Sequence, residues 1–349
     1  MKIDLQRYWG HFQIYHPAEL AARIIESMTQ DGQVTLISKE IRSLEKSGLL
    51  DFLDELCDYY RWNKEKITIE FGDPCQSTDR GYTIRMIESG ECYINTDLSK
   101  IQHRPWNREK IYGMFIGRAN TSRLYAAYQH LNFEYRHHGL TSFNQDIRYH
   151  IDAQYLLQYL CETNQSWEDV KSISPWSDID QIQQPPITNQ FQGGIWDDVY
   201  EKISIDIVLE TIDYEGAYGI SEKLLRPILY RRPFILISGR NSITDFYKKL
   251  SSWRCLDLAG NLTVWPGDLR FFENVIPLDY DVDQGVHRVE HAFDILRTLI
   301  RTGKINTILE DCKEDIDNNY TVMKSHIEKL TNLRPLYQKR FETQTWHLR

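Results

Sequence analysis

Two short apolar runs, ISIDIVLET at 203–211 and PFILIS at 233–238, constrain this fold more than any other feature of the sequence. Each is too short for a helix and too continuously apolar for a strand with one wet face. Such runs belong to strands buried on both sides, as in a parallel sheet covered by helices. The text around them alternates as that sheet requires. A loop, DYEGAYG, leads into the helical SEKLLRPILY; Pro233 opens the second strand and Gly239 ends it. Asn241 or Ser242 then caps a further helix, ITDFYKKL. Strand–loop–helix repeated in this way is the doubly wound pattern, whose ligands bind beyond the carboxyl ends of the strands.

Upstream the same rhythm recurs on a smaller scale. Pro17 opens a helix, AELAARIIESM, and VTLIS at 34–38 reads as a strand. A helical pattern follows from Lys39 to Trp62, with Leu44, Leu49, Leu50, Leu53, Leu56 and Tyr60 on one broad face. ITIEF at 67–71 is a second strand, closed by the turn Gly72-Asp73-Pro74. This β-α-β order predicts a small Rossmann-like layer. Periodicity is lost over DLSKIQHRPWNREK at 97–110, where the interdomain linker is placed. The expected division is an N-terminal α/β domain over 1–105 and a larger α/β domain over 106–349 with a helical tail. Within the second domain, IYGMFIG reads as a strand, Arg123 to Leu131 and 145–163 as helices, and 164–194 as a long loop. From Asp279 onward the pattern is mainly helical.

The net charge of -9 gives no global field that would draw the chain to nucleic acid or an anionic membrane. No apolar stretch is long enough to cross a bilayer, and the start MKIDLQRYWGHF does not read as a signal peptide. The six cysteines form no CxxC pair, so reduced thiols and a cytoplasmic location are expected, with no zinc site. The 21 Tyr and nine Trp supply rings that suit a base- or sugar-binding cleft, or simply fill core and surface.

Chemistry-bearing residues concentrate at two strand-to-helix junctions. At the first, Glu210 ends a strand and Glu222-Lys223, followed by Arg226, opens the next helix after a loop containing Tyr218. A carboxylate there can take ribose hydroxyls, while lysine and free helix N–H groups meet phosphate. The structural alternative is that Glu222 stabilises the first turn with Ser221 as N-cap. At the second junction, Arg118-Ala119-Asn120-Thr121-Ser122-Arg123 lies between a strand and a helix. Arginines and backbone donors converge there as a diphosphate cradle would require, or Ser122 is the N-cap and Arg123 is solvated. Asp178-Ile179-Asp180 and Asp281-Val282-Asp283 spell DxD, and His137-His138 lies near Glu134; neither pattern has convincing metal-ligand context. Arg226, Arg231, Arg232 and Arg240 form a local basic set, read first as a solvated face.

GAYGISEKLLRPILYRRPFILISG resembles the donor-binding segment of the α1,3-fucosyltransferase family, with Ser221 where that family commonly has Thr. FIGRANTSRLYAAYQHL is similar to an earlier element of the same family. The order ISEKLLRP, PFI, then Asp279-Tyr280-Asp281, Asp283 and Arg288 resembles related phage-encoded glycosyltransferases. The resemblance covers the second domain, and no motif of the first matches. It implies a GT-B fold, two Rossmann-like domains facing across a cleft, with a nucleotide-sugar donor between them and inversion without a metal or other cofactor. It further implies that Arg123 and Lys223 hold the diphosphate, that Glu222 holds the ribose, and that Glu210 is a polar contact. Arg118, Asn120 and Tyr218, from their places at the same two junctions, are also expected to bind the donor. Arg240 directly after Gly239 departs from the family pattern.

Sugar transfer also needs a general base for the acceptor hydroxyl, expected from the opposite domain. Asp73, at a strand end, is the first candidate and His16 the second, with His11 behind them. The acceptor expected is DNA carrying modified bases, or a glycan. The competing class is a catalytically silent nucleotide- or nucleic-acid-binding protein with the same fold.

Overall fold

The computed structural model describes residues 1–5, 8, 16–38, 48–71, 80–86, 96–117, 120–144, 153–163, 165–179, 195–210, 220–256 and 262–332. It is a mixed α/β protein with two separate, mainly parallel sheets.

The first sheet is built from β1 (Lys2–Asp4), β2 (Val34–Ser38), β3 (Ile67–Phe71) and β4 (Thr83–Met86), all parallel and in sequence order. Helix α1 (Pro17–Asp31) joins the first two strands and α2 (Leu49–Tyr60) the next two. Proline at its first position starts α1, and it stops at Gly32, whose φ of 64° is costless only for glycine. Leu20, Ile24, Ser27 and Met28 are its buried side, the spacing of one helical face. Leu20, Ile24 and Met28 meet Val34, Leu36, Ile67 and Ile69 in a compact apolar core. The helical pattern read from Lys39 begins at Leu49 among the described residues, after Gly48 in a left-handed conformation.

The second sheet has the order β7-β6-β5-β8-β9. Its central strand is β5 (Tyr112–Ile116), followed by α3 (Thr121–Asn132), β6 (Gly139–Phe143), α4 (Ala153–Glu162), α5 (Trp167–Lys171) and the short β7 (Trp176–Ser177). The chain then passes through α6 (Ile195–Lys202) to β8 (Ile205–Leu209), α7 (Glu222–Leu229) and β9 (Phe234–Ile237). Only β7 runs antiparallel. Every residue of β8 and β9 is buried, as their continuous apolar text requires. Gly139 is small because the Tyr112 ring lies across it: a Cβ there would stand 2.7 Å from the ring.

Beyond the sheet come the one-turn helix α8 (Ser242–Asp245), the antiparallel pair β10 (Arg254–Leu256) and β11 (Leu262–Val264), and α9 (Gly285–Arg301). The chain closes with α10 (Ile308–Asp311) and α11 (Lys313–Thr331). The expected helix ITDFYKKL is therefore one helical turn followed by a tighter 3-10 segment, Tyr247–Ser252. Its cap also differs from expectation. Asn241 supplies no side-chain cap; the carboxylate of Asp281 accepts from the amides of Ile243 at 3.1 Å and Thr244 at 2.9 Å. Asp281 is paired in turn with the fully buried Arg288, whose guanidinium also reaches the carbonyls of Leu236 and Gly239.

The polar text at 97–110 is strapped to the second sheet's helices. Arg104 pairs with Asp198 and Glu201, the Gln102 amide donates to Asp197, and Asn107 bonds the Glu201 carbonyl. Arg232, read as part of a solvated basic face, is buried and donates to the carbonyls of Arg104, Tyr200 and Ile203. The rest of that set is placed differently. Arg226 covers the Trp196 ring at 4.2 Å, Arg231 lies over Tyr320, and Arg240 is exposed.

Candidate functional site

The order β6-β5-β8 creates a topological switch point. From β5 the chain turns to one side of the sheet, and β8 lies on the other, so α3 and α7 diverge from the carboxyl ends of adjacent strands. The two strands pair only at Tyr112↔Ile205 and Gly113↔Asp206. By contrast β5 follows β6 as far as Ile116↔Phe143, and β8 follows β9 to Leu209↔Ile237. The crevice of such a switch point lies beyond the carboxyl ends of β5 and β8, flanked here by two helix beginnings.

Arg123, in the first turn of α3, reaches across to the end of β8. Its Nη2 donates to the Leu209 carbonyl at 2.7 Å. The Glu210 amide bonds Ile237 of β9, so by strand alternation the Leu209 carbonyl faces the β5 side, beyond the last ladder pair of the two strands at Gly113↔Asp206. Arg123 is 2% exposed. It is neither a solvated residue nor an open diphosphate ligand: what it brings to the crevice is fixed positive charge. Asn120, not Ser122, is the N-cap of α3, accepting from the Arg123 amide at 2.9 Å. Ser122 is buried one residue into the turn after Thr121.

On the opposite wall, Ser221 caps α7. Its hydroxyl accepts from the Lys223 amide at 3.1 Å and donates to Glu210 Oε1 at 2.8 Å. Glu210, buried at the end of β8, therefore fixes the entry of α7. The Lys223 ammonium is bonded to the neighbouring Glu222 carboxylate, with the lysine side chain 16% and the glutamate 31% exposed. Burial lowers the proton affinity of Lys223, and the Arg123 guanidinium adds to that, against the pull of Glu222 and Glu210. Burial works to raise the Glu222 carboxyl, but Lys223 and then Arg226 outweigh it and hold the group down at about 2. Glu222 is ionised at neutral pH. Two cations and two carboxylates, brought from distant stretches of sequence, thus share one sheet edge.

The remaining expected site residues divide into two groups. Arg118, Tyr218, Asp73 and His11 lie outside the described residues. His16 is exposed and precedes α1 as its N-cap residue, without a side-chain cap bond. It lies on the segment leading from the carboxyl end of β1 into α1.

At the other, amino-terminal end of β8 is a buried group that the sequence reading did not find. Tyr200 donates to Asp206 Oδ2 at 2.5 Å, and the Tyr200 and Tyr230 rings stack in parallel at 4.6 Å. Burial pushes the Asp206 carboxyl up to about 6, with Tyr200 and Arg226 pulling the other way. One aspartate within an apolar run, ISIDIVLET, was the only trace of it in the sequence.

The described aspartates of the DxD triplets are spent on structure, and Asp180 lies outside the described residues. Asp281 is committed to Arg288 and the α8 amides, Asp283 bonds His291, and Asp178 accepts from Thr141. Glu134 pairs with Arg297 and Arg301, away from any histidine–carboxylate set. Among the described residues no group of three or more His, Cys, Asp or Glu is placed to hold a metal ion, and no helix is long and apolar enough to cross a membrane.

No protein-family model and no curated protein matches this sequence.

Proposed function

We propose that the protein is a glycosyltransferase of GT-B-like organisation that takes its sugar from a nucleoside-diphosphate donor held at the β5/β8 crevice. The observation that carries this reading is the divergence of α3 and α7 from the carboxyl ends of those adjacent strands, with Arg123, Lys223, Glu210 and Glu222 converging there. The departing diphosphate gains negative charge during transfer. Lys223 meets it directly, while Arg123 and the α7 helix start add fixed positive potential. Glu222, ionised beside Lys223, accepts from ribose hydroxyls. The base that activates the acceptor comes from the carboxyl edge of the first sheet, where His16 and Asp73 follow β1 and β3 in the chain. The acceptor is a glycan or modified DNA, and inversion at the anomeric carbon follows from a single displacement.

The test is a thermal-shift screen of UDP, GDP, CDP and dTDP sugars, followed by donor hydrolysis assays on the parent and Lys223→Met. One nucleotide class should raise the melting temperature by mass action, and Lys223→Met should abolish both shift and turnover. No shift with any donor, or an unchanged response in the variant, refutes the assignment. A shift without turnover identifies a nucleotide-binding protein instead. Steep salt dependence of acceptor binding marks DNA; a flat response marks a glycan.

A further inference from the structure

The C-terminus of α2 carries an aromatic ladder that the crevice does not use. Tyr59 is 80% and Tyr60 41% exposed, unusual for rings of this size. Tyr60 stacks in parallel on Trp62, with centroids 4.7 Å apart and planes 14° apart, and Tyr59 meets Tyr60 edge-on at 4.8 Å. The arrangement depends on Arg61, which ends the helix at a φ of 56°, a conformation normally left to glycine. That turn brings Trp62 back alongside Tyr60, while Trp62 also packs against the first core. Because α2 runs from the end of β2 to the start of β3, the ladder sits near the amino-terminal edge of the first sheet. Strand carboxyl ends, and any ligand site built on them, lie at the other edge.

We infer that the Tyr59–Tyr60–Trp62 ladder is a docking platform for a neutral glycan chain. Stacked rings accept flat partners: the C–H face of a sugar, a nucleobase, or a cationic side chain. The charges around the ladder choose among them. Asp51, Glu55 and Asp58 lie on one exposed side of α2 leading up to the rings, so among the described residues that side offers phosphates no cationic track. That side is not a strong attractant for cations either. Asp51 is paired with Arg80 at 2.5 Å, the Lys64 ammonium is attracted by Asp58, and Arg61 stands next to the rings in the chain. A hydroxyl-rich neutral ring satisfies both conditions: its C–H face covers Tyr59, and its hydroxyls meet the Glu55 and Asp58 carboxylates. A second copy of this chain is disfavoured, since three rings fall far short of the roughly 1,000 Å² that a specific protein interface needs.

The platform requires nothing of the crevice, and its test uses no nucleotide, so the two readings fail separately. Cellohexaose, laminarihexaose, maltoheptaose and chitohexaose are titrated against the full chain while tryptophan fluorescence is followed. At least one should bind saturably and with little salt dependence. Tyr59→Ala, at a position exposed enough to leave folding intact, should weaken it about tenfold or more. Tyr59→Phe should retain binding, because the ring face is kept, and the melting temperatures of parent and variants should coincide. No response to any of the four glycans overturns the inference, as does unchanged affinity in Tyr59→Ala. Tighter binding of a dT20 oligonucleotide or an oligolysine peptide at the same rings also overturns it.

Discussion

Two buried groups titrate in the same window with opposite consequences for stability, and separating them tests the packing of the second sheet. Asp206, 3% exposed, has its proton affinity raised from 3.8 to about 6 by burial. A raised carboxyl favours the folded state most at low pH. That contribution is fully present below about pH 4 and is lost as pH rises through 6, where the native state must hold a buried charge. His130, 6% exposed, is pushed from 6.5 down to about 4, chiefly by burial. Its ring is held between the Tyr112 hydroxyl at 2.9 Å and the Thr141 hydroxyl at 3.2 Å. A depressed imidazole works in the other sense: its contribution is complete above about pH 6.5 and disappears as pH falls through 4. Each shift spans a little over two units, or about 3 kcal/mol at about 1.4 kcal/mol per unit. Between about pH 4 and about pH 6 the two therefore nearly cancel in the parent protein.

Asp206→Asn keeps an acceptor for Tyr200 but removes the charge. Its unfolding free energy should rise by about 3 kcal/mol from about pH 4 to about pH 6.5, because His130 now acts alone. His130→Gln should show the mirror image, falling over the same interval. Urea denaturation followed by far-UV circular dichroism at closely spaced pH values gives both curves, provided the slope m stays constant. If Asp206→Asn follows the parent profile, Asp206 does not carry a raised proton affinity and the burial argument for β8 fails.

Two further perturbations probe the scaffold around the crevice. Asp281→Ala strips the buried Arg288 of its carboxylate and α8 of its cap; a loss of about 3–5 kcal/mol in chemical denaturation is expected, whereas an effect of only a few tenths would show that the pair is dispensable. Arg123→Met leaves the Leu209 carbonyl without its guanidinium donor at the end of β8, which should cost about 1–3 kcal/mol. It should also raise the proton affinity of Lys223, measurable as faster amine acylation at a lower ammonium fraction in the parent than in the variant.

Local text determined the elements around the candidate site. The apolar runs at 203–211 and 233–238 became β8 and β9, Ser221 became the cap of α7, and Glu210 fell at the strand end, because burial period and capping chemistry are written in adjacent residues. The relations between distant stretches were not legible. Nothing in ITDFYKKL showed that its cap would be Asp281, and nothing in TSRLYAAY showed that Arg123 would be drawn inward by the Leu209 carbonyl, past the last β5–β8 ladder pair. Arg232, counted with surface cations, went inside because three carbonyls from two separate segments, Arg104 and the end of α6, converge on it. A sequence displays which groups can donate and accept. Only the folded chain decides which of them lose water together, and buried polar groups must then find partners wherever the topology puts them.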